Sequence, residues 1–316
     1  HIGVRHRYDC PLRWADLDLL GHINNVRYVD YLQEARSALL QECRRAADVE
    51  LPEGFGYVVV RHEVSFLAPL RFGRGPVAID SWVSEIRTAS FTLDHEIYLE
   101  DDEGTRTVYL RARTVLAPFV PATGEPRRMM AEEQTALAPY LEEGSPRSRP
   151  VRVDVPREHA EHYPVHVRFS DIDPYRHVNN VTYVEYFQEA RIALFYKLKD
   201  VLKDFPRINV VVAQTDLEYV APMTLRSDPY DCWSVATRMG NRSMTIESEL
   251  VESEPLESEP LDSEAFPAVE LCKEAGIAGF DRDEAVGEGK IDHQPKKKKV
   301  MVTSGITIVF FIRVCR

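Results

Sequence analysis

Apolar residues recur at helical spacing over residues 26–45, where Val29, Leu32, Leu39, Leu40 and Cys43 fall on one face. This predicts an amphipathic helix capped by Asn24 or Asn25. A strand ending near Trp14 and a polar turn over residues 16–25 should lead into it. After Pro52, Gly54 and Gly56, the runs at 57–70, 76–86, 90–99 and 106–119 read as strands, separated by turn signals such as Phe72-Gly-Arg-Gly-Pro76 and Asp101-Asp-Glu-Gly104. A short helix is expected at 131–141. One helix followed by consecutive strands indicates an antiparallel α+β unit in which a sheet covers the helix.

The same order then returns. A strand at 165–169, a polar turn, a helix at 181–202 and strands at 208–220, 231–238 and 243–251 are expected. The repetition extends to residues, because RWADLDLLGHINNVRYVDYLQEAR, from Arg13 to Arg36, reappears as RFSDIDPYRHVNNVTYVEYFQEAR, from Arg168 to Arg191. Fourteen of the 24 positions are identical at an offset of 155, and six of the ten differences exchange similar side chains. A duplication explains this most simply. Where a short hairpin should follow, the second copy inserts ESEPLESEPLDSE, a Gly-containing stretch and four lysines (Lys296 to Lys299). The apolar run at 300–311 can supply the last strand. The division expected is therefore 1–143, a Pro-containing linker at 144–161, and 162–316 with an acidic, mobile insertion at about 252–299.

With 316 residues and 44% hydrophobic content, the chain can bury two ordinary cores. The formal charge of -12 is concentrated, because residues 252–292 hold 13 acidic and 3 basic residues. The rest is nearly neutral, so bulk charge says little about the ligand and argues against nonspecific nucleic-acid binding. Five scattered cysteines without a CxxC pair argue against a zinc site or a disulfide framework and fit a reducing cytoplasm. No secretory signal is visible, and the apolar tail at 300–314 is too short and mixed to span a bilayer. The Lys296 run reads as an ordinary charged loop end against the rival of an import or anionic-surface signal.

Chemistry concentrates just before each helix, where Asp16, Asp18, His22, Asn24 and Asn25 recur as Asp171, Asp173, His177, Asn179 and Asn180. A helix start offers unpaired N–H groups and a positive dipole end that can stabilise an oxyanion. A carboxylate beside it can activate water or attack a carbonyl, and an imidazole can orient either. An acyl-transfer or hydrolysis site is one reading. Turn and cap chemistry alone is another, because Asp and Asn bond nearby backbone. A metal site on Asp16, Asp18 and His22 is a third, without a further ligand cluster to support it. The pairs Tyr28/Tyr31 and Tyr183/Tyr186 should pack or line a pocket wall.

The pattern D-x-D-x-x-x-H-x-N-N-x-x-Y ahead of an amphipathic helix resembles the hotdog-fold thioesterases, in particular the 4-hydroxybenzoyl-CoA thioesterase-like group and the plant acyl-ACP thioesterases. The resemblance covers both halves, including Ala68-Pro69 and Ala221-Pro222, and leaves out the linker and the insertion. It implies a tandem (double) hotdog, each unit an antiparallel sheet wrapped around a long central helix. Carried over by position, the catalytic Asp falls on Asp18 and Asp173, its His partner on His22 and His177, and the amide that polarises the carbonyl on Asn25 and Asn180. Some relatives use a Glu in an L-E-Y strand, which matches Glu218, whereas the first copy has Val64-Ser65-Phe66. Asn24, Tyr28, Asn179 and Tyr183 would contact substrate, and Arg61, Arg71, Arg74 and Arg87 are candidates for the phosphates of CoA. Gly21 against Arg176 and Leu19-Leu20 against Pro174-Tyr175 set the two copies apart.

The resemblance thus implies a cytoplasmic acyl-CoA thioesterase of lipid metabolism, acting on a fatty or aromatic acyl thioester without a cofactor. The alternatives are an acyl-ACP substrate, a noncatalytic acyl-thioester-binding protein, and a hotdog dehydratase acting on 2-enoyl thioesters. Further pairing of the built-in pseudo-dimer into a homo-oligomer is expected, with neither nucleic acid nor membrane insertion involved.

Overall fold

The computed structural model describes residues 4–48, 56–73, 75–142, 144, 155–198, 208–240, 243–253 and 300–312. The acidic insertion, the lysine run, Arg74, most of the expected linker and residues 199–202, expected from sequence to end the second long helix, lie outside the described residues. In the first half come β1 (His6–Cys10), α1 (Asn25–Ala47), β2 (Gly56–Phe66), β3 (Val77–Arg87), β4 (Ser90–Glu100), β5 (Arg106–Val120), β6 (Glu125–Pro126) and α2 (Ala131–Leu137). The second half contains β7 (Glu161–Val165), α3 (Thr182–Leu198), β8 (Ile208–Tyr219), β9 (Tyr230–Met239), β10 (Ser243–Val251) and β11 (Val300–Ile312).

All of these strands join one antiparallel sheet in the order β1-β3-β4-β5-β2-β8-β11-β10-β9-β7, with β6 added to β5. The order is the same when read outward from the seam between β2 and β8, where Arg61 pairs with Glu218 and Ser65 with Gln214. The apolar run after the acidic insertion becomes β11, between β10 and β8, the place that β5 takes between β4 and β2.

The long helices bury their apolar faces on this sheet. Leu32, Ala35 and Leu39 of α1 are wholly buried, against strand residues such as Val64, Ile79, Leu93 and Ile97. Removing one such side chain, as in Leu39→Ala, should cost about 2–5 kcal/mol. Val26 and Val29 of α1 pack into the core of the second half, so the helix start lies where the halves meet. Arg27 of α1 also reaches Glu185 of α3 at 3.1 Å. Asn24 caps α1, its Oδ1 accepting the Val26 N–H at 3.0 Å, and Asp48 ends it in the left-handed conformation.

Two strand boundaries differ from the sequence expectation. The first strand ends at Cys10 rather than near Trp14, because Pro11 has no N–H for the ladder and Trp14–Asp16 forms a 3-10 turn. The corresponding strand of the second half is Glu161–Val165 rather than 165–169, and Phe169–Asp171 forms the matching 3-10 turn with Phe169 exposed. No helix among the described residues is long and apolar enough to cross a membrane.

Candidate active site

The two carboxylates of each D-x-D do different work. Asp16 is buried and receives both Nε and Nη2 of Arg13 at 2.9 Å, together with the Tyr31 hydroxyl at 2.6 Å. Asp171 repeats this with Arg168 and with Tyr186 at 2.6 Å. Burial alone would raise these carboxyls, but the bonds from arginine and tyrosine outweigh it and hold both below the usual carboxylate range. Each also organises backbone, since the Asn24 N–H donates to the Asp16 carbonyl and the Asn179 N–H to that of Asp171, both at 2.8 Å. Both oxygens of Asp16 are occupied in this way, which leaves little for a metal ion.

The second carboxylate closes a tight loop with one oxygen. Asp18 Oδ1 accepts the N–H groups of Leu20 (2.8 Å) and His22 (3.0 Å), and Asp173 Oδ1 those of Tyr175 (2.9 Å) and His177 (3.2 Å). In both copies Oδ2 accepts no hydrogen bond among the described residues. The turn-forming reading therefore accounts for half of this side chain. Inside the loop Gly21 and Arg176 both have positive φ, 75° and 65°, so the two copies share a backbone that glycine adopts readily and arginine adopts under strain.

The asparagines divide similarly. Asn24 and Asn179 spend Oδ1 on the N–H groups of Val26 and Val181. Asn180 is tied instead to the other half of the sheet. Its Nδ2 lies 3.3 Å from His62 Nε2 on β2, its Oδ1 accepts from Arg36 Nη2 of α1 at 3.4 Å, and its carbonyl accepts from the Tyr219 hydroxyl at 2.8 Å. His62 is wholly buried, and burial together with the nearby Arg36 charge holds its pKa well below the ordinary histidine value. As a neutral ring it accepts from Asn180 at Nε2 and donates from Nδ1 to Thr114 Oγ1 at 3.0 Å. The Asn180 backbone N–H has no partner among the described residues. Asn25 starts α1 without a side-chain hydrogen bond among them.

A cavity of about 660 Å³ opens where the halves meet. That volume falls within the range of small-molecule sites. The second motif lines it with Asp173, His177, Asn179, Asn180 and Tyr183, the first half with Arg36, Leu40, Arg44, Tyr57, Val59 and Phe119, and β8 with Tyr219. Tyr175 reaches across the seam to pack edge-on against Phe119 at 5.2 Å. Gly56 makes room for it, because a Cβ there would lie 2.8 Å from the Tyr175 hydroxyl oxygen.

Several sequence-predicted residues are not brought to this cavity. Asp18, His22, Asn24, Asn25 and Tyr28 are not part of its wall, and the Tyr28 hydroxyl accepts the Leu70 N–H at 3.3 Å. Tyr183 does the same for Met223 at 2.9 Å while also lining the cavity. Glu218 points to the opposite sheet face, since Leu217 and Tyr219 face the helices and side chains alternate along a strand. Arg61 lies on that same outer face with Glu63 at 2.9 Å and Asp216 at 3.5 Å, and Arg87 pairs with Glu85 at 2.7 Å. Arg71 is exposed and pairs through its backbone with His22, away from the cavity wall.

Arg36, His62, Tyr219 and Tyr175 border the cavity or brace Asn180, although sequence reasoning gave none of them a place in the site. Arg36 did carry a signal, because it is a charged residue in the apolar stripe of Val29, Leu32 and Leu39 and stands identically in the second copy as Arg191. His62 carried none, since a lone histidine in a strand has no local mark.

The family model for the thioesterase-like superfamily matches residues 12–139 and 167–259, well over half of the chain and both copies of the motif. The chain belongs to the thioesterase-like superfamily. Its fold is hotdog-like, with a large antiparallel sheet and few helices. Among curated proteins this thioesterase-like chain is similar to the uncharacterized protein YsmA of Bacillus subtilis, 33% identical over 85 residues, which are 26% of this chain and 54% of that protein. It thus spans about half the length of the curated relative it matches. Among solved structures it is similar to a putative oleoyl thioesterase from Lactobacillus plantarum (TM-score 0.65, 15% identity, 97% of this chain and 96% of that one). It is also similar to the 12:0-ACP thioesterase from Umbellularia californica (TM-score 0.62, 12% identity, 97% and 94% covered). An acyl-ACP thioesterase from Bacteroides thetaiotaomicron aligns at TM-score 0.58 and 13% identity over 97% and 98%. At these identities the likeness is one of fold.

Proposed function

We propose that this chain is a tandem hotdog thioesterase, with units at 1–143 and 162–316, that hydrolyses acyl-CoA in the cavity bearing Asp173. The observation that carries this reading is that Asp173 and Asn180 line one cavity with walls drawn from both halves, and that the Asp173 Oδ2 and the Asn180 N–H have no hydrogen-bond partner among the described residues. Asp173 is the general base or the nucleophile. In the first case it takes a proton from water as the water oxygen bonds to the thioester carbon. The Asn180 N–H and the positive end of α3 stabilise the oxyanion, and collapse of the intermediate expels the thiolate. In the second, Oδ2 attacks the carbon, the C–S bond breaks and the thiolate leaves as the mixed anhydride forms, and water then hydrolyses that anhydride to the free acid and the Asp173 carboxylate. His177, bonded through its N–H to Asp173 Oδ1, orients water or carboxylate.

A thiolate leaves with little acid assistance, so no Ser or Cys nucleophile is required. An acyl group on carrier protein is the second reading, favoured by the two similar structures that carry that substrate in their names. Thiol release from a panel of acyl-CoA and acyl carrier protein thioesters tests the proposal. Asp173→Asn should lower the rate on the order of 10²- to 10⁴-fold, and Asp18→Asn far less. Binding of acyl-CoA without thiol release would leave a noncatalytic binding protein. Loss in Asp18→Asn alone would move the site to the first motif.

A further inference from the structure

A buried cation without a counter-ion among the described residues stands in the cavity wall. Arg36 is 7% exposed, and its Nη1 has no hydrogen-bond partner among the described residues. Its one side-chain bond there, to Asn180 Oδ1, is long at 3.4 Å. Burial pulls the guanidinium down to about 10, so it stays charged at neutral pH. The groups facing it are neutral: His62 and His95 are held unprotonated by burial and by the Arg36 charge itself, and burial raises Tyr219. The acid that acts on it is Glu34, exposed on the same helix, and no ion pair forms between them.

A leucine or methionine would fill this helix position without desolvating a charge. Arginine stands there nevertheless, between Leu32 and Leu39, and again as buried Arg191 in the second copy. An unpaired guanidinium presents a planar fork of donors that matches a carboxylate, and charge-assisted bonds of this kind are stronger where water is excluded. Leu40, Val59 and Phe119 supply apolar wall beside it, and Asn180 fixes one edge of the fork.

We propose that Arg36 is the carboxylate-recognising residue of the cavity, holding an acid with an apolar body. This rests on the reading of the cavity as a thioester site, because hydrolysis there releases such an acid. The recognition has a consequence for the reaction, since the released acid competes with substrate and the chain is product-inhibited through Arg36.

Calorimetric titration of the full chain with butanoate, octanoate and benzoate, and with the matching primary amides, tests the assignment near neutral pH. Wild type should bind at least one acid on the order of tenfold more tightly than its amide, and Arg36→Gln should erase that preference while shifting amide affinity by no more than about twofold. Arg36→Lys, a point charge without the fork, should keep part of it. Absence of preference in wild type, or its survival in Arg36→Gln, overturns the proposal. If Arg36→Gln does not fold, the Arg36 Nε–H resonance of nitrogen-labelled wild type decides instead: movement with acid but not with amide supports the assignment, and no movement overturns it. Thiol release measured alongside separates the two claims. An Arg36-dependent acid preference without any thiol release sustains the carboxylate site and removes the hydrolase reading. Asp173-dependent thiol release with Arg36-independent acid binding does the reverse.

Discussion

The side-chain amide of Asn180, in the turn before α3, lies 3.3 Å from His62 Nε2 on β2, although the residues are 118 positions apart. The bond gives the helix-start asparagine of the second motif an anchor in the first half. Its counterpart Asn25 lacks such an anchor among the described residues. His62→Phe would leave the half-buried Nδ2 of Asn180 and the buried Oγ1 of Thr114 unpaired. Denaturant melts should show a loss of about 1–3 kcal/mol. Thiol release should fall as well, because Asn180 is no longer held.

Buried neutral histidines set a first acid transition. The folded pKa of His62 is well below the ordinary 6.5, and burial brings that of His95 down to about 3. Below pH 6.5 the unfolded chain therefore takes up protons that the folded chain refuses, so stability falls with falling pH, by about 1.4 kcal/mol per pH unit for each histidine. The loss continues until the folded pKa is reached. Melts between neutrality and pH 4 should show this slope, and His95→Gln should reduce it by about one proton. An unchanged slope would contradict it.

Asp16 and Asp171 set a second transition at lower pH. Their folded pKa values are depressed, so their contribution is complete above the unfolded value of 3.8 and disappears as pH falls through the folded one. Tyr186→Phe removes the 2.6 Å bond to Asp171, and near neutrality it should cost about 1.5–3 kcal/mol. The same change should shrink the loss seen below pH 4 while leaving the histidine slope intact.

Gly21 tests the shared loop. No atom lies within 4 Å of a Cβ built there, so Gly21→Ala meets backbone strain alone and should cost about 1 kcal/mol. The reverse change at the same loop position, Arg176→Gly, should cost less than this or stabilise, because the strained conformation is already present at φ 65°. Equal destabilisation by both in chemical melts would contradict the loop assignment.

Gly56 tests the end of the cavity. A side chain there must displace Tyr175 from Phe119, since even a Cβ comes within 3.0 Å of the phenylalanine ring. Gly56→Val should raise KM for long acyl thioesters more than for short ones and change kcat little, because Asp173 and Asn180 are untouched. A uniform loss of kcat across chain lengths would place the reacting carbon at this end instead.

The local pattern already specified much of this molecule. Asp16 and Asp171 lie three residues after an arginine and fifteen before a tyrosine, and both partners bond them, so a segment of 24 residues carries the whole lock. The apolar stripe of α1 and the capping Asn24 were equally legible, because helix periodicity and cap chemistry act over a few residues. The early end of β1 at Cys10 was not, since a strand stops where its partner stops as well as where proline stands.

Sequence alone therefore determined that the chain holds two copies of a carboxylate, imidazole and amide group, each ahead of a long helix, because covalent spacing fixes those relations. Tertiary structure decided which copy borders a cavity, and it did so through Arg36, His62 and Phe119, which lie far from Asp173 along the chain. It also turned Glu218 to the outer sheet face, a choice made by strand register across the seam. Register and helix packing join residues more than a hundred positions apart, and no local pattern encodes which side chains such a seam will bring together.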